Sequence, residues 1–131
     1  MADDVIPDEI KQFILNNIDS IAQLEALLLL RKDSQLDWTI DAVAKWLYIS
    51  EQETSILLRR LCAGGFLITT AEKPAAYRYH TNSNELGQMV DRLAELYSKY
   101  LIPVTNLIHS KPQTRVREFA DAFKLRKEED Q

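Results

Sequence analysis

Side chains able to act as nucleophile, proton carrier or metal ligand are few in this chain. One cysteine, Cys62, and two histidines, His80 and His109, are present, and the histidines lie far apart. No ligand-like spacing links them, so a metal site is not expected. Cys62 has no basic neighbour in sequence to lower its pKa and reads as a small packed apolar group. A lone cysteine also excludes an internal disulfide framework. No nucleophile–base pair, phosphate loop or paired carboxylate stands at a spacing tied to a mechanism. Enzyme activity and a bound cofactor are therefore not expected. The remaining chemistry is hydrogen bonding and charge, carried by Arg59-Arg60, Gln52, Ser55, Lys45, Lys73 and Arg78.

Composition bounds what those groups serve. The 131 residues, 46% hydrophobic and 27% charged, suit one globular domain with a real core. The acidic start MADDVIPDEI lacks the basic and apolar regions of a signal peptide. The longest apolar run, Ala26 to Leu30, is too short for a bilayer, so no membrane association and a cytoplasmic location are expected. The net charge of −4 is uneven. Residues 1–38 hold eight acids against three bases, whereas 39–81 hold four acids against five bases. Local balance bears on partners more than the average does.

Periodicity supplies the elements that must position these side chains. Pro7 opens a helix running to about Asn17, with Ile10, Phe13, Ile14 and Ile18 at helical spacing. Ser20 and Gln23 form a capping box before a Leu-rich second helix. Gln35 to Trp38 reads as an extended link, and Thr39 caps a helix from Ile40 to Leu47. Ser50, with Glu53 three residues on, opens a helix from Glu51 to about Ala63 that stops at Gly64-Gly65. FLIT and AYRYHT around a Lys-Pro turn predict a hairpin. Tyr77 and Tyr79 should share one strand face, with Ala76, Arg78 and His80 on the other. A long helix starts near Asn84, and Pro103 should kink or restart it. Ser110-Lys111-Pro112 reads as a break before a last helix from about Gln113 to Lys127. Trp38 and Trp46 read as core or rim packing.

The stretch TIDAVAKWLYISEQETSILLRRLCAGGFL, followed by AYRYHT, resembles the winged helix-turn-helix domains of bacterial transcription regulators. The likeness rests on Ala44 where paired helices approach, the Ile49-Ser50 lead-in, and RRL-x-x-x-G before a strand; it covers roughly residues 20–82. It implies a mainly α fold with a small β-hairpin wing, an additional N-terminal helix and long C-terminal helices. Residues 1–82 would form the winged domain and 83–131 a C-terminal helical dimerisation region.

The same likeness implies double-stranded DNA as partner, with Ser50 to Arg60 as the recognition helix in the major groove. Thr54, Leu57, Leu58 and Leu61 would face the core, and Gln52, Ser55, Arg59 and Arg60 the DNA. Thr39, Lys45 and Ser50 would meet the backbone, and Lys73 and Arg78 a neighbouring groove or phosphate. Arg59 and Arg60 also suit a solvated helix end. Tyr48 stands where such turns carry a small residue, Glu51 and Glu53 open the recognition helix, and Ile56 is an apolar residue among its polar ones.

Leu86, Leu93, Tyr100 and Leu107 recur every seven residues, with Met89, Val90, Leu96 and Tyr97 between them. This stripe predicts a homodimer, the competing arrangement being a fold-back onto Ile10, Phe13 and Ile14. Two recognition helices would then enter grooves about 10 base pairs apart. A protein-interaction module using Ile56, Trp46 and the long helix is the alternative, and a small-molecule sensor a weaker third.

Overall fold

The computed structural model describes residues 5–111, and the expected helix at 113–127 lies outside them. The element order is α1 (Asp8–Asn17), α2 (Ile21–Lys32), β1 (Trp38–Thr39), α3 (Ile40–Leu47), α4 (Glu51–Ala63), β2 (Leu67–Glu72), β3 (Ala75–Tyr79) and α5 (Asn84–Lys99). A further helix, α6, occupies 101–111.

Hydroxyl caps set the helix starts. Thr39 Oγ1, Ser50 Oγ and Ser83 Oγ accept from the backbone N–H of Ala42, Glu53 and Leu86, at 3.2, 3.0 and 3.1 Å. Each satisfies a donor that the first turn leaves unpaired. At Ser20 the expected capping box takes a different form. Ser20 Oγ accepts from Gln23 N, but Gln23 Oε1 accepts from Asp19 N at 2.6 Å rather than from Ser20. The buried Gln23 amide also donates to Asn17 O at 3.4 Å, so it stitches the α1–α2 corner.

The strands are antiparallel in the order β1-β3-β2. The link expected at Gln35–Trp38 ends instead in a short strand, with Trp38 opposite Tyr77 and Thr39 opposite Ala76. Two residues are too few to show a period of two, so only β3 reveals β1. A bulge between Thr69 and Ala71 breaks the β2–β3 register. At the end of α4, Gly65 has φ +88° and its backbone carbonyl accepts from Asn82 N at 2.9 Å. A Cβ there would stand 2.5 Å from Asn82 Nδ2, so both conformation and close approach require glycine.

Helix α5 ends at Tyr100, and α6 begins at once with Pro103 in its first turn, where a missing N–H does no harm. Of the break expected at Ser110-Lys111-Pro112, Ser110 and Lys111 are still helical, and Pro112 lies outside the described residues. Ser110 Oγ donates to Leu107 O at 2.7 Å, and the Lys111 ammonium is taken inward.

One buried cluster spans the described chain, from Ile6, Ile10 and Ile14 of the N-terminal segment to Val104 and Ile108 of α6. Phe13 and Phe66 meet edge to face, with ring centres 5.9 Å apart, which joins α1 to the turn between α4 and β2. Leu24, Leu27 and Leu30 of α2 are fully buried, as the Leu-rich pattern requires.

Candidate nucleic-acid interface

Four residues turn α4 into a fixed rod. Thr54, Leu57, Leu58 and Leu61 are all buried, as their spacing predicts. Thr54 Oγ1 also donates to Ser50 O at 2.8 Å, which removes its polar atom from competition with packing. The opposite side of the helix is thereby turned outward. Gln52 and Arg59 are exposed there, Ser55 is half-buried, and Arg59 Nε donates to Ser55 O at 3.4 Å.

Thr39, Ile40, Asp41, Glu51, Gln52, Ser55, Pro74 and Ala75 line a groove of about 510 Å³ between the starts of α3 and α4 and the wing turn. The fold therefore brings Thr39, Gln52 and Ser55 together. Thr39 and Ser50 spend their hydroxyls on capping, with their backbone at the same end of α4.

The basic side chains do not all join this face. Arg60 reaches to Asp19, at 3.5 Å, and so points to the α1–α2 corner. Arg78 pairs with Asp37 at 2.9 Å, and Lys45 with Asp41 at 3.1 Å. Among the described residues, Arg59 and Lys73 form no ion pair. The Lys45 ammonium, followed by a hydrogen bond shared with Glu51, holds the Asp41 carboxyl below its ordinary range. The groove is thus anionic beside α4, and net positive charge is left at Arg59 and Lys73. Asp19 and Asp37 carried no local signal for this, since each meets its base 41 residues away; Asp41 and Lys45 are an i,i+4 pair on α3.

The turn between α3 and α4 is the most unusual point of the backbone. Tyr48 adopts the left-handed conformation, φ 58° and ψ 42°, and its side chain is 95% exposed. It is the non-glycine residue with positive φ among those described. Beside it Trp46 is 64% exposed, which corrects the expectation that this ring packs in the core or its rim. The outer side of α3 is available because Val43 and Ala44 alone are fully turned inward. Trp38, by contrast, packs against the core.

Residues expected at a subunit contact divide into two groups. Val90 and Leu93 lie wholly inside the chain, in the core cluster that also holds Ile10, Phe13 and Ile14. Leu86, Met89, Leu96, Tyr97 and Leu107 pack partly against the same core. Tyr97 donates to Glu25 Oε1 at 2.7 Å. Burial first, then that hydrogen bond and the Glu25 charge, push its phenol up to about 12. Apolar surface remains at Tyr100, Leu101 and Ile102, where α5 gives way to α6.

Cys62 is half-buried, with Sγ 4.0 Å from Thr69 Oγ1, and burial pushes its thiol up. Among the described residues no group of three or more His, Cys, Asp or Glu is placed to hold a metal ion. Among them, too, no single helix is long and apolar enough to cross a membrane.

Among the described residues, six helices around a three-stranded antiparallel sheet, with a capped helix pair leading into a hairpin, decide the architecture. The fold is a winged helix. Among solved structures, the chain is similar to the multiple antibiotic-resistance repressor from Listeria monocytogenes. That likeness has a TM-score of 0.50 at 15% identity and covers 90% of this chain and 81% of the other. The adhesin competence repressor from Streptococcus pyogenes gives 0.49 at 19% identity, over 83% and 82%. A transcriptional regulator from Thermotoga maritima gives 0.49 at 14% identity, over 94% and 86%. No known family's sequence profile matches the chain, and no curated protein matches it. Within this winged helix, α3 and α4 are the helix pair, β2 and β3 the wing, and α1, α5 and α6 the surrounding helical arm.

Proposed function

We propose that this winged helix is a DNA-binding transcriptional regulator that acts as a homodimer and places α4 in the major groove. The observation that carries the reading is the division of α4. Its inner side is anchored by Thr54, Leu57, Leu58 and Leu61, and its outer side presents Gln52, Ser55 and Arg59 next to the wing. Amide, hydroxyl and guanidinium groups on a rigid rod are the donors and acceptors that base edges and phosphates require. The solved Listeria repressor of like fold supports this role. The exposed Tyr100, Leu101 and Ile102 supply the apolar area for a second copy. Nothing in the proposed role requires catalysis.

The ion pairs refine which bases matter. Arg59 carries an uncompensated charge on the outer side, whereas Arg60 is engaged by Asp19. A gel shift on genomic fragments around the gene's own promoter tests this. Wild type is expected to retard one fragment, with affinity falling steeply as salt rises. Arg59→Ala should weaken binding about tenfold or more, and Arg60→Ala distinctly less. No retardation at low salt, or equal retardation by wild type and Arg59→Ala, would overturn the proposal.

A second reading, a protein-docking module, draws on Trp46 and Tyr48. Both rings are exposed, and with Ala42 and Lys45 they line a hollow of about 400 Å³. Under that reading Trp46→Ala/Tyr48→Ala abolishes partner capture, while the duplex-binding variants leave it intact.

A further inference from the structure

The outer side of α4 carries more than polar groups. Gln52, Ile56, Arg59 and Ala63 recur at intervals of four, three and four residues, so they form one stripe directly opposite the buried residues. The acids are not in it. Glu51 lies to one side, in the groove with Asp41 and Ser55. Glu53 falls to the other side, with Arg60, which is turned to Asp19. Ile56 stands in the middle of the stripe and is 41% exposed. Its aliphatic end has no place in a phosphate contact.

Three chemistries therefore follow one another along the rod: a carboxamide, a branched alkyl group and a guanidinium. Each has a natural counterpart on a base edge in the major groove. An amide fits the adenine N6/N7 pair, an alkyl group the thymine methyl, and a guanidinium the guanine O6/N7 pair. Gln52 and Arg59 are separated by about 10 Å along the helix axis, the length of roughly three base-pair steps.

Resting on the DNA-binding reading above, we infer that Gln52, Ile56 and Arg59 specify a half-site with an adenine, a thymine and a guanine in one run of three to four base pairs. The thymine is read through its methyl group by Ile56. Ile56 is thus a specificity residue, and the apolar residue among polar ones has a function on the nucleic acid itself.

Selection of bound duplexes from a randomised library with the full chain is the test, followed by titration of the selected duplex. Replacing the selected thymine by uracil removes one methyl group and nothing else. Wild type is expected to lose about fourfold in affinity on that exchange. Ile56→Ala should bind both duplexes alike, and Ile56→Val, which keeps a methyl partner, should retain the discrimination. Gln52→Ala and Arg59→Ala should relax the selection at the adenine and guanine respectively. A selected duplex whose uracil form binds wild type equally well overturns this inference and leaves the DNA-binding reading standing. So does an Ile56→Ala variant that keeps the full uracil penalty. If Ile56→Ala changes no duplex affinity, the side chain belongs to a protein contact and the inference fails. If wild type enriches no duplex at all, both readings fail together.

Discussion

Helix α4 and the arm formed by α5 and α6 start from the same kind of sequence, an amphipathic stripe at helical spacing, and end differently. In α4 every apolar residue of the inner stripe is covered by the chain itself, and what remains outside is polar except for Ile56 and Ala63. In the arm, Val90, Leu93, Val104 and Ile108 are covered, but Tyr100, Leu101 and Ile102 are not. A stripe states that a face is to be buried. It does not state which neighbour buries it. The first region is complete within one chain and free to meet a polar ligand. The second leaves apolar area uncovered among the described residues.

The contrast can be broken at its strongest point first. Leu58 is fully buried at the centre of the α4 anchor. Leu58→Ala should lower unfolding stability by about 3 kcal/mol in a urea titration. A loss below about 1 kcal/mol would mean that the rod is not anchored as described. The arm calls for the opposite signature. Leu101 and Ile102 are 50% and 63% exposed, so Leu101→Glu/Ile102→Glu should leave folding unchanged. It should nonetheless weaken self-association by about a hundredfold. Sedimentation equilibrium that shows the same association for both proteins removes the dimer through this surface.

The junction between the two regions comes next in size. Lys111 is 5% exposed and its Nζ donates to Ile18 O at 2.6 Å and to Asp19 Oδ1 at 3.0 Å. Asp19 also meets Arg60, so a single carboxylate touches both α6 and α4. Asp19→Asn leaves a buried ammonium poorly compensated and should cost about 2 kcal/mol. Asp19→Asn/Lys111→Met should recover most of it, because the unpaired charge is gone; equal stability of the single and double variants would sink the explanation. The smallest effect is expected at Tyr48. Glycine there relieves the left-handed backbone but adds freedom to the unfolded chain, a net gain of about 0.5 kcal/mol. A loss of about 1 kcal/mol on Tyr48→Gly would show that the exposed ring makes a stabilising contact.

Local patterns were legible wherever the cause is local. Thr39 and Ser50 as caps, the bounds of α3 and α4, and the inward set Thr54, Leu57, Leu58 and Leu61 all follow from neighbours within one or two turns. Pro103 marked the restart of the arm because its ring lacks a donor. The failures share the opposite property. Strand β1 exists through pairing with Tyr77 and Ala76, and Lys111 turns inward to a carboxylate 92 residues away. Trp46 is outside because none of the described elements covers α3 there.

The candidate interface shows the same partition. That Gln52, Ser55 and Arg59 share the outer side of one helix is a matter of spacing at 3.6 residues per turn, so the order of residues alone determined it. Which cations remain uncompensated was decided in three dimensions. Asp19 and Asp37 reach Arg60 and Arg78 only once the chain is packed, each pair joining residues 41 apart, whereas Asp41–Lys45 is local to α3. A helix is written in short-range periodicity, whereas a surface potential is a sum over everything the fold brings near it.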